Sequence, residues 1–141
     1  MEVSPGTLIA VKILIRGKGV YILLIVSLLL LYYSVFVKHH QITYLLILVS
    51  MLNVLTAILS DSDNHKALFY ALRISGAKPS AIMTYILTVS ALITLIGLIP
   101  IVIKADIVKT LATLVVNTLA SALILYYIFL KIKKHTALDV V

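Results

Sequence analysis

Histidine, acid and asparagine are the side chains with chemistry to offer here, and their spacing removes most of it. The adjacent pair His39 and His40 sits in the stretch KHHQ. Adjacent residues on a helix diverge by roughly 100°, so two such rings do not converge on one metal ion. No carboxylate lies near the pair in sequence, and interfacial polar capping is the expectation for both. His65 and His135 stand alone, without a Ser-His-Asp or His-Glu-x-x-His constellation. All five acids lie outside the long apolar runs, which removes intramembrane proteolysis by paired aspartates. No G-x-x-x-x-G-K-[ST] loop is present to cradle a nucleotide phosphate. Cysteine is absent, so disulfides and thiolate metal sites are excluded. These residues predict a protein that is not an enzyme and takes no cofactor or metal.

Asn53 and Asn117 fall inside apolar runs. An amide at membrane depth needs a partner, so both are predicted to face other helices, worth about 0.5–2 kcal/mol each as polar packing. Lining a substrate path is the alternative role.

The elements that must carry these residues follow from hydropathy. The chain has 141 residues and is 62% hydrophobic, with a mean hydropathy of +1.18; soluble domains are nearer half apolar. A membrane span takes about 20 apolar residues. Four runs qualify, at 19–37, 42–60, 81–103 and 110–130, and none contains Asp, Glu, Lys, Arg or His. The expected fold is all-α: one transmembrane domain over 1–141 with four spans. The first run exceeds the usual 7–15 residues of a signal-peptide core and no A-x-A-like site follows it, so it reads as a retained span.

The net charge of +7 is a topology signal rather than a nucleic-acid signal. Lys12, Arg16 and Lys18 precede the first span, Lys66, Arg73 and Lys78 lie between the second and third, and Lys131, Lys133 and Lys134 follow the fourth. Lys38, Lys104 and Lys109 fall on the other side. The positive-inside rule then puts both termini in the cytoplasm of a cell-membrane protein, with membrane lipid as the contact of the basic side chains.

Two shorter elements complete the layout. The leader mixes Leu8, Ile9, Val11, Ile13, Leu14 and Ile15 with Lys12 and Arg16, as expected of an amphipathic interfacial helix. After the second span, Asp61, Ser62 and Asp63 are N-cap types. A cytoplasmic helix over 64–75 is predicted, its apolar side built from Leu68, Ala71, Leu72 and Ser75 with Phe69 and Tyr70 beside it; continuation of the second span into this helix through a kink at the polar patch is the alternative. Gly76 suits a left-handed C′ position, and Pro79 suits the first turn of the next helix. Pro100 is expected to bend the third span near its outer end.

The stretch ALRISGAKPSAI, residues 71–82, resembles the cytoplasmic segment of FtsX/MacB-type ABC transporter permeases, which commonly reads like I-L-R-A-L-G-A-S-R-R-Q-I. Leu72 and Arg73 fall on the L-R pair, Gly76 and Ala77 on the G-A pair, and Ile82 on the closing aliphatic position. The leader TLIAVKILIRGKG is similar to the family's amphipathic opening. The family usually carries a large extracellular domain between its first two spans, where this chain has KHHQIT.

The resemblance implies a permease unit that pairs with a second permease subunit, as a homo- or heterodimer, and docks on an ATPase subunit. Leu72, Arg73, Gly76, Ala77, Lys78 and Ile82 would lie at the coupling segment. The expected function is to couple that ATPase to movement of a lipid, an apolar peptide or a small toxic compound. A small non-catalytic accessory subunit of a larger membrane complex, respiratory or secretory, is the alternative expectation.

Overall fold

The structure is a computed structural model describing residues 5–37 and 41–138, with side chains over 7–37 and 41–132. His39 and His40 lie outside the described residues, as do the side chains of Lys133, Lys134 and His135. Among the described residues six helices follow one another: α1 Pro5–Arg16, α2 Lys18–Phe36, α3 Gln41–Ser60, α4 Ser62–Ile74, α5 Pro79–Val102 and α6 Ile107–Leu138. Among the described residues there is no strand.

Four of these, α2, α3, α5 and the part of α6 up to Ile132, are long and apolar enough to cross a membrane. At 1.5 Å per residue the 20 residues of α3 reach about 30 Å, the depth of a hydrocarbon core. Four such helices in an all-α chain make the architecture of a polytopic helical membrane protein.

Helix α5 is the centre. It packs against α1, α2, α3 and α6, and 56% of its apolar window is buried against 22% for that of α6. Tyr85, Ile86, Val89 and Ile93 of α5 meet Leu23 of α2, Ala57 and Ile58 of α3, and Leu125 of α6 in the main core cluster. Leu46, Leu98 and Ile101 form a second, smaller cluster. That end is also tied by polar contacts: Lys104 Nζ donates to the Val37 carbonyl at 3.2 Å, and Lys109 pairs with Asp106 at 3.3 Å.

The helices leave little room where they cross. Gly97 of α5 lies against Val54, whose Cγ2 is 2.6 Å from where a Cβ would stand. Ser50 Oγ donates to the Gly97 carbonyl, in the turn before the buried Pro100. Such a side-chain hydroxyl on a backbone carbonyl joins two helices by a hydrogen bond inside the apolar layer. Helix α5 continues past Pro100 to Val102.

Helix α1 packs on α5. It buries Ala10 and Leu14 in the main core and leaves Lys12 and Arg16 exposed. Helix α4 differs from its expected orientation. Its inner stripe is His65, Leu68, Phe69 and Leu72, while Ala71 and Ser75 are exposed. The stripe has the i, i+3, i+4, i+7 spacing of a helix face, with histidine holding the position that hydropathy alone rejects.

Candidate functional site

Two glycines open α2. Gly17 is its N-cap residue, with backbone in the extended region (φ −75°, ψ 131°), and Gly19 is the second residue of the helix. A Cβ on Gly19 would stand against the carbonyl of Ala57, and one on Gly17 against the carboxylate of Asp61. Their absence lets the start of α2 lie flush on the end of α3. Into that contact comes Asp61, 5% exposed. Its Oδ2 accepts a hydrogen bond of 3.1 Å from the Gly19 N–H, across 42 residues of sequence.

Asp61 therefore departs from its expected role as a side-chain cap for α4. It is the residue before α4, and its carbonyl accepts from the His65 N–H at 3.1 Å. Its side chain makes no cap bond to that helix. The carboxylate instead satisfies an N–H at the start of α2, as an N-cap side chain would, and places negative charge at the positive end of that helix dipole. One residue thus joins three helices: it ends α3, begins α4 and caps α2.

One turn into α4, His65 is buried and its Nδ1 lies 2.7 Å from the Tyr85 hydroxyl of α5. One turn further, Phe69 meets Tyr85 edge-on, with ring centroids 5.5 Å apart and an interplanar angle of 88°. Phe69 also meets Phe129 of α6, at 5.4 Å and 65°. Both are favourable edge-to-face geometries. The short helix is thus held to α5 and α6 by one hydrogen bond and a run of three rings.

Burial holds the His65 imidazolium form back and lowers its pKa from 6.5 to about 4, the nearby Asp61 charge offsetting part of this. His65 is accordingly neutral near pH 7. Asp61 Oδ1 and His65 Nε2 are buried without a hydrogen-bond partner among the described residues. On the outer side of α4, Asp63 and Lys66 pair at 2.8 Å in solvent. The Lys66 ammonium holds the Asp63 carboxyl below its usual pKa.

The residues singled out in the sequence divide between surface and interior. Arg73, Gly76 and Lys78 are exposed, Leu72 and Ala77 half-buried, and Ile82 buried on α5. Gly76 has φ +68°, the left-handed conformation expected of it. The Ala77 N–H reaches back to the Leu72 carbonyl and the Gly76 N–H to that of Arg73, at 3.0 and 3.1 Å, which is a Schellman closure. Pro79 is the first residue of α5. No atom lies within 4 Å of a Cβ built on Gly76, so the constraint is conformational alone. Gly76→Val is expected to lower stability by about 1–3 kcal/mol through positive φ on a β-branched residue, read as a fall in the thermal midpoint in detergent. An unchanged midpoint would contradict it.

Asn53 lies between helices as expected. Its Nδ2 donates to the Leu23 carbonyl at 3.2 Å and reaches Ser27 Oγ at 3.3 Å. Asn117 is buried too, but its Nδ2 finds no partner among the described residues. Ser90 and Thr94 of α5 have hydroxyls in the same condition. Asp61, His65 and Tyr85 did not stand out in the sequence as a set. The available signal was the i, i+4 spacing of His65 and Phe69, had histidine been counted among inward-facing residues.

Among the described residues no group of three or more His, Cys, Asp or Glu could hold a metal ion. The arrangement fixes α4 to α5 and α6 through buried side chains. No protein-family model, no curated protein and no solved structure matches this chain.

Proposed function

We propose that this chain is the membrane-spanning permease subunit of an ABC-type transporter, in the cell membrane with both termini cytoplasmic. A partner ATPase moves α4, and α4 moves α5 and α6. The observation that supports this most is the ring contact of Phe69 with both Tyr85 and Phe129. A displaced α4 then carries two spans with it instead of sliding over them. The outer face of the same helix and its turn, with Tyr70, Arg73 and Lys78, is exposed for a partner.

The apolar runs 19–37, 42–60, 81–103 and 110–130 offer small polar groups and apolar surface but no acid or base except tyrosine, which suits an amphiphilic or apolar cargo better than an ion. Coupling to an ion gradient would need buried charge inside the spans, so the work comes from the ATPase. Helix α6 is the least buried span, and its exposed side, including Val115, Leu119 and Leu123, favours a second permease subunit beside it. The same surface supports the reading of a non-catalytic accessory subunit packed into a larger complex.

Affinity purification of the tagged chain from its native membranes separates the two. The permease reading expects an ATPase subunit in the eluate, and its loss by about tenfold or more with Arg73→Glu. A stable complex lacking any ATPase would overturn it in favour of the accessory role, and equal ATPase recovery with Arg73→Glu would remove Arg73 from the docking surface.

A further inference from the structure

Between α1 and α4 lies a groove of about 320 Å³, lined by Lys12, Ile13, Arg16, Asn64, Ala67 and Leu68. Its chemistry is divided. Lys12 and Arg16, one turn apart on α1, and Asn64 on α4 give it a basic, hydrogen-bonding rim. Ile13, Ala67 and Leu68 give it an apolar floor. Neither Lys12 nor Arg16 is in an ion pair among the described residues. Arg16 is followed by Gly17 and the start of α2, and Asn64 stands four residues beyond the end of α3. The groove therefore sits at the level where two apolar spans begin and end, which is headgroup depth for a bilayer.

We infer that this groove is a binding site for the headgroup of an anionic membrane lipid. The guanidinium of Arg16 offers a planar pair of donors to phosphate oxygens, and Lys12 adds a second positive charge beside it. Asn64 supplies a neutral donor to the headgroup from the opposite wall. The apolar floor takes the glycerol and first methylenes, a part that free phosphate lacks. Charge complementarity selects an anionic over a zwitterionic headgroup. The bound lipid would bridge α1, which rests on α5, and α4, which rests on α6. The inference is independent of the transporter reading: it needs the groove and a bilayer, not an ATPase.

Native mass spectrometry of the purified full chain, titrated with dioleoyl phosphatidylglycerol or dioleoyl phosphatidylcholine in detergent, tests it. Phosphatidylglycerol is expected to be retained at one stoichiometric site, about tenfold more tightly than phosphatidylcholine. Lys12→Gln with Arg16→Gln should remove that preference. Lys66→Gln with Lys131→Gln, which takes two cations from the same end outside the groove, should keep it. Competition with 10-fold excess inorganic phosphate should not displace the lipid. Equal retention of both lipids, retention by the Lys12/Arg16 variant, loss in the control variant, or displacement by phosphate would each overturn the inference. Circular dichroism of both variants, with helix content unchanged, confirms that the comparison is between folded proteins.

Discussion

Gly19→Ala is expected to destabilise the bundle by about 3 kcal/mol or more, the upper end of what overpacking costs. A methyl group there would meet the Ala57 carbonyl, which is backbone and cannot rotate away, and would crowd the Asp61 carboxylate as well. The start of α2 would have to lift off α3, and the 3.1 Å bond from the Gly19 N–H to Asp61 would go with it. Asp61→Ala separates the parts. It removes the carboxylate but not the helix contact, leaves the Gly19 N–H without its acceptor, and should cost a smaller 1–3 kcal/mol or so. Thermal midpoints and the monodisperse fraction in detergent check both. The order expected is Gly19→Ala worse than Asp61→Ala; the reverse order would mean that charge, not close approach, holds α2 to α3.

Acid is expected to loosen α4 from the spans. With burial holding the pKa of His65 near 4 against 6.5 in water, an opened state that exposes the ring binds a proton the closed state does not. Above pH 6.5 both states are neutral at His65 and the closed state keeps its full advantage. As pH falls from 6.5 towards about 4 the opened state gains relative to the closed one. Below about 4 both states are protonated and the loss levels off. The full swing is about 3 kcal/mol. Amide hydrogen exchange over α4, corrected for the intrinsic pH dependence of exchange, should show protection falling between pH 7 and 4.5. His65→Gln, which cannot titrate, should flatten that fall. Protection independent of pH in the unsubstituted chain would mean that His65 reaches water in the closed state.

The broad plan of the molecule is readable from local sequence because its causes are local. A run of about 20 apolar residues becomes a helix in lipid, since only a helix satisfies the backbone within a single segment. The turn at Gly76, with Pro79 after it, is likewise specified within a few residues, and the structure has φ +68° at Gly76 as its place in the sequence requires. Asn53 could be expected to find a partner because an amide in an apolar run has few other places to go.

What local sequence hides is the junction. Asp61 looks like the cap of the helix that follows it, and nothing nearby says that its side chain turns to an N–H 42 residues earlier. His65 looks like a solvent-facing residue outside the spans, because histidine weighs as polar in any hydropathy pattern. Its burial is decided by the Tyr85 hydroxyl 20 residues later. The face expected for α4 lies one stripe away from the observed one for the same reason: with His65 discounted, Ala71 and Ser75 complete an apolar side that the structure leaves exposed. Both differences come from pairing across helices, which helix periodicity does not encode.

For α4 to transmit force in the proposed way, it must be fastened firmly to α5 and α6. Spin-label distance measurement on the chain reconstituted in vesicles tests this most directly, and the absence of native cysteine leaves no background to remove. Labels at Ala71→Cys on α4 and Leu123→Cys on α6, both exposed positions, should give a single narrow distance distribution that broadens when Phe69→Ala removes the ring contacts. A distribution already broad or multiple before that substitution would show the short helix unfastened from the spans and unable to drive them.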